Sequence, residues 1–135
     1  MTLELAVLAP ALLVLVSLVI LAGRLEVASG VVEQAAAAAA RSASLARDPA
    51  TAQQDATAVA RTELAARGLR CTGVRVDLDL HGFAVPVGQP AQVAARVTCT
   101  LSLSGLGPVP GLPGTKTLTA RAVSVLDEYR ARTDP

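Results

Sequence analysis

Residues 2–46 read TLELAVLAPALLVLVSLVILAGRLEVASGVVEQAAAAAARSASLA, and the fold turns on how this stretch divides. From Leu5 to Gly23 there is no charged side chain, and Pro10 and Ser17 alone interrupt a row of Leu, Val, Ala and Ile. At about 1.5 Å rise per residue the run covers about 28 Å, close to the roughly 30 Å hydrocarbon core of a bilayer. A single carboxylate, Glu4, stands at its leading edge. Beyond Arg24 the helical signal persists into Ala35–Ala40, an unbroken alanine run, and no proline falls between Pro10 and Pro49. Alanine has the highest helix propensity, so one long helix is expected from about Thr2 to about Ala46. Residues 1–23 would form the transmembrane segment and residues 24–47 a helical stalk continuing it. Pro10 removes the hydrogen bond to the Ala6 carbonyl, which predicts a kink. Ala35, Ala39 and Ala43 form a small-xxx-small ladder. It suits either the backbone of another subunit or packing under the chain's own domain.

A cleaved signal peptide is the competing reading of the N-terminus. It calls for a basic n-region and a short apolar core ending at small residues. Met-Thr-Leu-Glu carries no Lys or Arg, the apolar run is longer than needed, and Val27-Ala28-Ser29 follows Arg24 and Glu26 instead of the run itself. A retained single span is expected. Arg24 lies on its C-terminal flank with nothing basic on the other side, so a literal positive-inside count opposes an exported domain. The cysteines favour export. Cys71 and Cys99 both follow the span, and two thiols in such a small domain imply one disulfide in an oxidising compartment. The alternative is two buried reduced thiols. In the chain-entropy model a bridge of this loop length contributes roughly 3 to 4 kcal/mol.

Residues 48–135 are expected to form an extracytoplasmic α+β domain. Asp48-Pro49 has N-cap and first-turn chemistry, and a second helix follows from Pro49 to Arg67, with Gly68 closing it. The apolar period then changes to two. Val74, Val76, Leu78 and Leu80 alternate with Arg75, Asp77, Asp79 and His81; Val93 to Leu103 repeats the pattern; Thr115 to Asp127 gives a third strand. The third strand's apolar phase slips between Ala122 and Val123, which predicts a bulge. The Gly- and Pro-rich segment from Gly105 to Gly114 excludes a regular element. A small three-stranded antiparallel sheet is expected, its apolar face covered by the second helix.

The composition excludes several functions. Lys plus Arg number 12 against 11 Asp plus Glu, so there is no basic field for nucleic acid. Phe83 and Tyr129 are the only aromatic residues, which removes stacking platforms and leaves a thin core. Asp77, Asp79 and His81 share one face of a strand, but same-face neighbours stand about 6.5 to 7 Å apart, so a solvated polar face is expected and no metal. The one histidine has no nucleophile near it, and no G-x-S-x-G, H-E-x-x-H, phosphate loop or C-x-x-C is present. No enzyme, cofactor or small-molecule substrate is expected. Glu4 has two readings. It rests in the headgroup region, or it meets a positive partner, such as a neighbouring subunit's α-amino group, when the helix packs with others.

Thr2-Leu3-Glu4-Leu5-Ala6-Val7-Leu8-Ala9-Pro10 closely resembles the N-terminal motif of TadE-like proteins. These are minor pilin or pseudopilin components of Tad/Flp pilus systems, related to type IV pili and type II secretion. Arg24, Ala36 to Arg41, the Cys71 and Cys99 pair and Asp127-Glu128-Tyr129-Arg130 resemble actinobacterial members, so the likeness covers most of the chain. It implies a membrane-anchored structural subunit. Its partners would be other pilin-like subunits and the assembly machinery, and its place the cell membrane or a cell-surface pilus. The family also implies a short basic leader ending in Gly, cut by a prepilin peptidase so that the glutamate becomes fifth in the mature chain. Glu4 is fourth here, so the expectation is that either the copy is truncated or the true start lies upstream of Met1, with the peptidase a partner if that leader exists. The reading from a different class is a single-pass membrane protein whose outer domain binds a partner protein or wall polymer without forming a filament.

Overall fold

The computed structural model describes residues 2–106 and 111–131. Two helices, α1 (Thr2–Leu45) and α2 (Pro49–Ala66), precede three strands, β1 (Gly73–Asp79), β2 (Gln92–Ser102) and β3 (Thr115–Val125). The sheet is antiparallel in the order β1-β2-β3, so the α+β reading with a long N-terminal helix holds. Of the Gly- and Pro-rich segment, residues 107–110 lie outside the described residues.

α1 runs for 44 residues, unbroken through Pro10, Gly23 and Gly30. Its two halves differ in what they touch. Every Leu, Val and Ile from Leu3 to Ile20 is exposed, whereas Ala28, Val32, Ala35, Ala36, Ala39, Ala40 and Ala43 are buried. The second half is therefore the centre of the domain: α1 packs on α2 and lies across β2 and β3, while α2 reaches β1. This corrects the expectation that α2 would cover the sheet's apolar face, since α1 lies across β2 and β3 instead. The physical reason is the alanine stripe, whose methyl groups let one helix approach both a second helix and a sheet. Ala52, Ala56, Ala60 and Leu64 at i+4 spacing give α2 its matching face.

The ends of α2 follow local chemistry. Asp48 is extended and Pro49 follows it as the first helical residue. The Asp48 carboxylate accepts from the Thr51 backbone N–H at 2.9 Å and from the Thr51 hydroxyl at 2.8 Å. At the other end Gly68 adopts φ +73°. Its N–H donates to the Ala65 carbonyl and the Leu69 N–H to the Leu64 carbonyl, each at 3.0 Å, which makes a Schellman turn. α1 is capped from a distance. Arg130 Nη1 donates to the Leu45 carbonyl at 2.9 Å, where the helix dipole favours a cation.

The core is thin, as the missing aromatics require. Leu64, Val32, Val93, Val97 and Cys99 are its largest fully buried side chains, joined by Phe83 at 2 % exposure. The Cys71–Cys99 disulfide spans a sequence separation of 28 and staples the α2–β1 connection to the central strand.

Two strand expectations change. β3 pairs with β2 without interruption from Gln92↔Val125 to Ser102↔Thr115, so no bulge occurs. The polar Ser124 keeps the inward phase because its hydroxyl donates to Ser44 Oγ on α1 at 3.0 Å, and Val123 and Val125 point outward, 50 % and 70 % exposed. At its far end β1 stops at Asp79, and His81–Ala84 forms a 3₁₀ turn that buries Phe83. Gly82 is required there, because a Cβ would collide with the Gln92 carbonyl oxygen and stand 3.0 Å from Leu126 Cδ1.

Candidate assembly surface

Glu4 lies in the first turn of α1. With Leu3, Val7 and Leu8 it borders a shallow groove on the helix surface. A helix N-terminus is the favoured place for a carboxylate, since the dipole and the free N–H groups there attract negative charge. None of the most apolar stretch of α1 is buried against the domain, and the helix is long and apolar enough to cross a membrane. Glu4 and Pro10 thus sit on a half-helix that the rest of the described chain leaves uncovered. Ala35, Ala39 and Ala43 do not: each is 0 % exposed, so this ladder is filled by the chain's own domain.

The junction between the two halves of α1 carries a contact that no local pattern announced. Arg24 Nη1 donates to the Leu106 carbonyl at 2.8 Å. Around it, Ile20, Gly23, Val27, Arg67, Leu69 and Leu106 line one concavity. The end of the apolar run therefore touches the domain's base directly, with no free stalk between them.

The outer face of the sheet is polar. Arg96 stands opposite Asp77 on β1 and Arg121 on β3, and Thr98 faces Thr119 with their hydroxyls 3.3 Å apart. Asp77, Asp79 and His81 are not arranged as three same-face strand positions, because the 3₁₀ turn takes His81 off the strand. Asp77 accepts from Arg75 Nε at 3.0 Å, and Asp79 binds His81 Nδ1 at 2.6 Å and accepts its backbone N–H at 3.2 Å. These bonds hold the Asp79 carboxyl below its ordinary value: first the His81 ring, then the His81 backbone, with Arg121 a smaller contributor. Among the described residues, no group of three or more His, Cys, Asp or Glu side chains converges as a metal site would require.

No family model, no curated protein and no solved structure matches the chain.

Proposed function

We propose that this chain is a membrane-anchored structural subunit of the TadE-like, minor-pilin type that takes part in a Tad-type pilus assembly. The first half of α1 spans the cell membrane, and the α+β domain lies outside the cytoplasm, where an oxidising compartment keeps Cys71–Cys99 closed. The observation that carries the reading is the lone Glu4 at the leading edge of an apolar half-helix whose large side chains from Leu3 to Ile20 are all exposed. Such a surface must be covered by lipid or by other helices. Each large side chain stands to gain about 1.5–3 kcal/mol on full burial, so a subunit leaving the bilayer needs neighbours along the whole half-helix. Glu4 adds direction. A carboxylate taken to the centre of hydrocarbon costs about 2.5–3.5 kcal/mol on insertion scales, and a neighbour's α-amino group would relieve that cost in one axial register.

A photoreactive amino acid at Val7 tests this in cells. The expected result is a covalent adduct with a pilin-like subunit that disappears when Glu4→Ala is added, while the chain stays in the membrane fraction. Equal adducts with and without Glu4 would remove its role. Adducts with lipid alone would favour the single-pass anchor whose outer domain binds a partner or wall polymer.

A further inference from the structure

We infer that the base of the extracytoplasmic domain is itself a membrane-contacting surface, one that seats Leu69 and Leu106 at the level of anionic phospholipid headgroups. This rests on the membrane span proposed above and goes beyond it, because a span alone leaves the domain free to stand clear of the bilayer.

The depth argument comes from the rigidity of α1. The run from Leu5 to Gly23 is uncharged. It covers about 28 Å at about 1.5 Å per residue, so a hydrocarbon core of roughly 30 Å consumes all of it. Ile20 then lies just inside the hydrocarbon boundary. Ile20 and Leu106 line the same concavity, and the Leu106 carbonyl is held by Arg24 at 2.8 Å. Leu69 lines that concavity too. The domain cannot rise away from the surface without breaking these contacts or bending a helix that is continuous from Thr2 to Leu45.

Charge points the same way. α1 enters the domain at this end; α2 returns to it, β1 leaves it, β2 returns and β3 leaves. The α2–β1 connection, which contains no Asp or Glu, brings Arg67 and Arg70 here, Lys116 lies at the start of β3, and Arg24 stands at the helix junction. Glu26 follows Arg24 by two residues on α1, and Glu63 pairs with Arg67 at 3.6 Å on the exposed surface. Asp48, Asp79, Asp127 and Glu128 belong to the opposite end, together with Arg47 and Arg130. A basic rim around two half-buried leucines, Leu69 and Leu106, is the surface that an anionic leaflet attracts.

The chain has no tryptophan, so one introduced indole reports its own depth. The full chain would be placed in vesicles of phosphatidylcholine with phosphatidylglycerol, part of the lipid brominated near the headgroup end of its acyl chains. L106W, with L69W as a second variant should the first fail to form its disulfide, is expected to be quenched by the brominated lipid and shielded from aqueous acrylamide. Y129W, at a distal position 88 % exposed, is expected to behave in the reverse way. Adding R67Q, R70Q and K116Q to L106W should lower its lipid quenching by about threefold or more. The L13W variant, in mid-span and read in a parallel set of vesicles with lipid brominated near the ends of its acyl chains, separates the two claims. If L13W is quenched and both L106W and L69W are not, the span stands and this inference fails. If L13W is not quenched either, both fail. Equal lipid quenching of Y129W, or no effect of the triple Gln change, would also overturn the oriented, charge-guided contact.

Discussion

Removing the disulfide is the perturbation whose size follows most directly from the fold. Cys71 lies half-exposed on the α2–β1 connection, and Cys99 is fully buried in β2. The bridge closes a sequence separation of 28. For a loop of that length the chain-entropy model gives about 3.5 kcal/mol. Single domains hold roughly 5 to roughly 15 kcal/mol in all. A core built largely of alanine belongs near the lower figure. The double variant C71A/C99A should therefore keep most of its helix but lose much of the domain's resistance to global opening. Far-ultraviolet circular dichroism would blur this, since the apolar half of α1 is expected to stay helical in micelles whether or not the domain opens. Native-state hydrogen exchange at the Val93 and Val97 amides avoids that difficulty, because both belong to the central strand. Converted at about 1.4 kcal/mol per decade, the expected fall in protection is roughly 300-fold. A fall below about tenfold would show that the unfolded chain is already constrained, or that the core alone carries the domain, and the reasoning would be refuted.

Three further expectations rest on single contacts. G82A should destabilise the domain by about 1–3 kcal/mol through overpacking against the Gln92 carbonyl, visible as a lowered denaturant midpoint; an unchanged midpoint would contradict the close approach. A39L should cost at least about as much, because Ala39 has 0 % exposure where α1 meets the rest of the core. A37L, on the exposed side, should be nearly neutral in the same titration, and equal losses in the two variants would contradict the assignment of faces. Asp48 is held below its ordinary 3.8 chiefly by the Thr51 backbone N–H and then the Thr51 hydroxyl, and Asp79 is lowered by His81. Folded values below unfolded ones mean that their stabilisation is present above the unfolded value and is lost as pH falls through the folded one. Stability should thus decline on acidification below about pH 4, and D48N/D79N should flatten that decline; an identical acid limb in the variant would contradict it.

The elements were legible because their signals are local. Asp48-Pro49 and Gly68 bound α2 through chemistry within a few residues, and alternation marked each strand to within two residues of its ends. The long helix followed from alanine and the absence of proline. What escaped notice depends on partners far along the chain. Ser124 looked like a break in the phase of β3, and only Ser44 on another element explains why it faces inward. An alanine stripe has no volume signature, so nothing local told whether Ala35, Ala39 and Ala43 would meet another subunit or the chain's own α2. His81 left its strand because the 3₁₀ turn draws Gly82 against β2, a contact no spacing records. Of the candidate assembly surface, Glu4 and the apolar run were visible at once, while the Arg24–Leu106 bond that ties that run to the domain needed the tertiary fold.

The central claim is that one helix serves as the core of the domain and, through its uncovered half and Glu4, as an assembly element. Quantifying the chain in sheared surface filaments, for the parent and for Glu4→Ala at equal membrane abundance, tests it most directly. The account predicts the parent in the filament fraction and the variant retained in the membrane. Equal amounts of both in the filaments, or the absence of the parent from them, would contradict it.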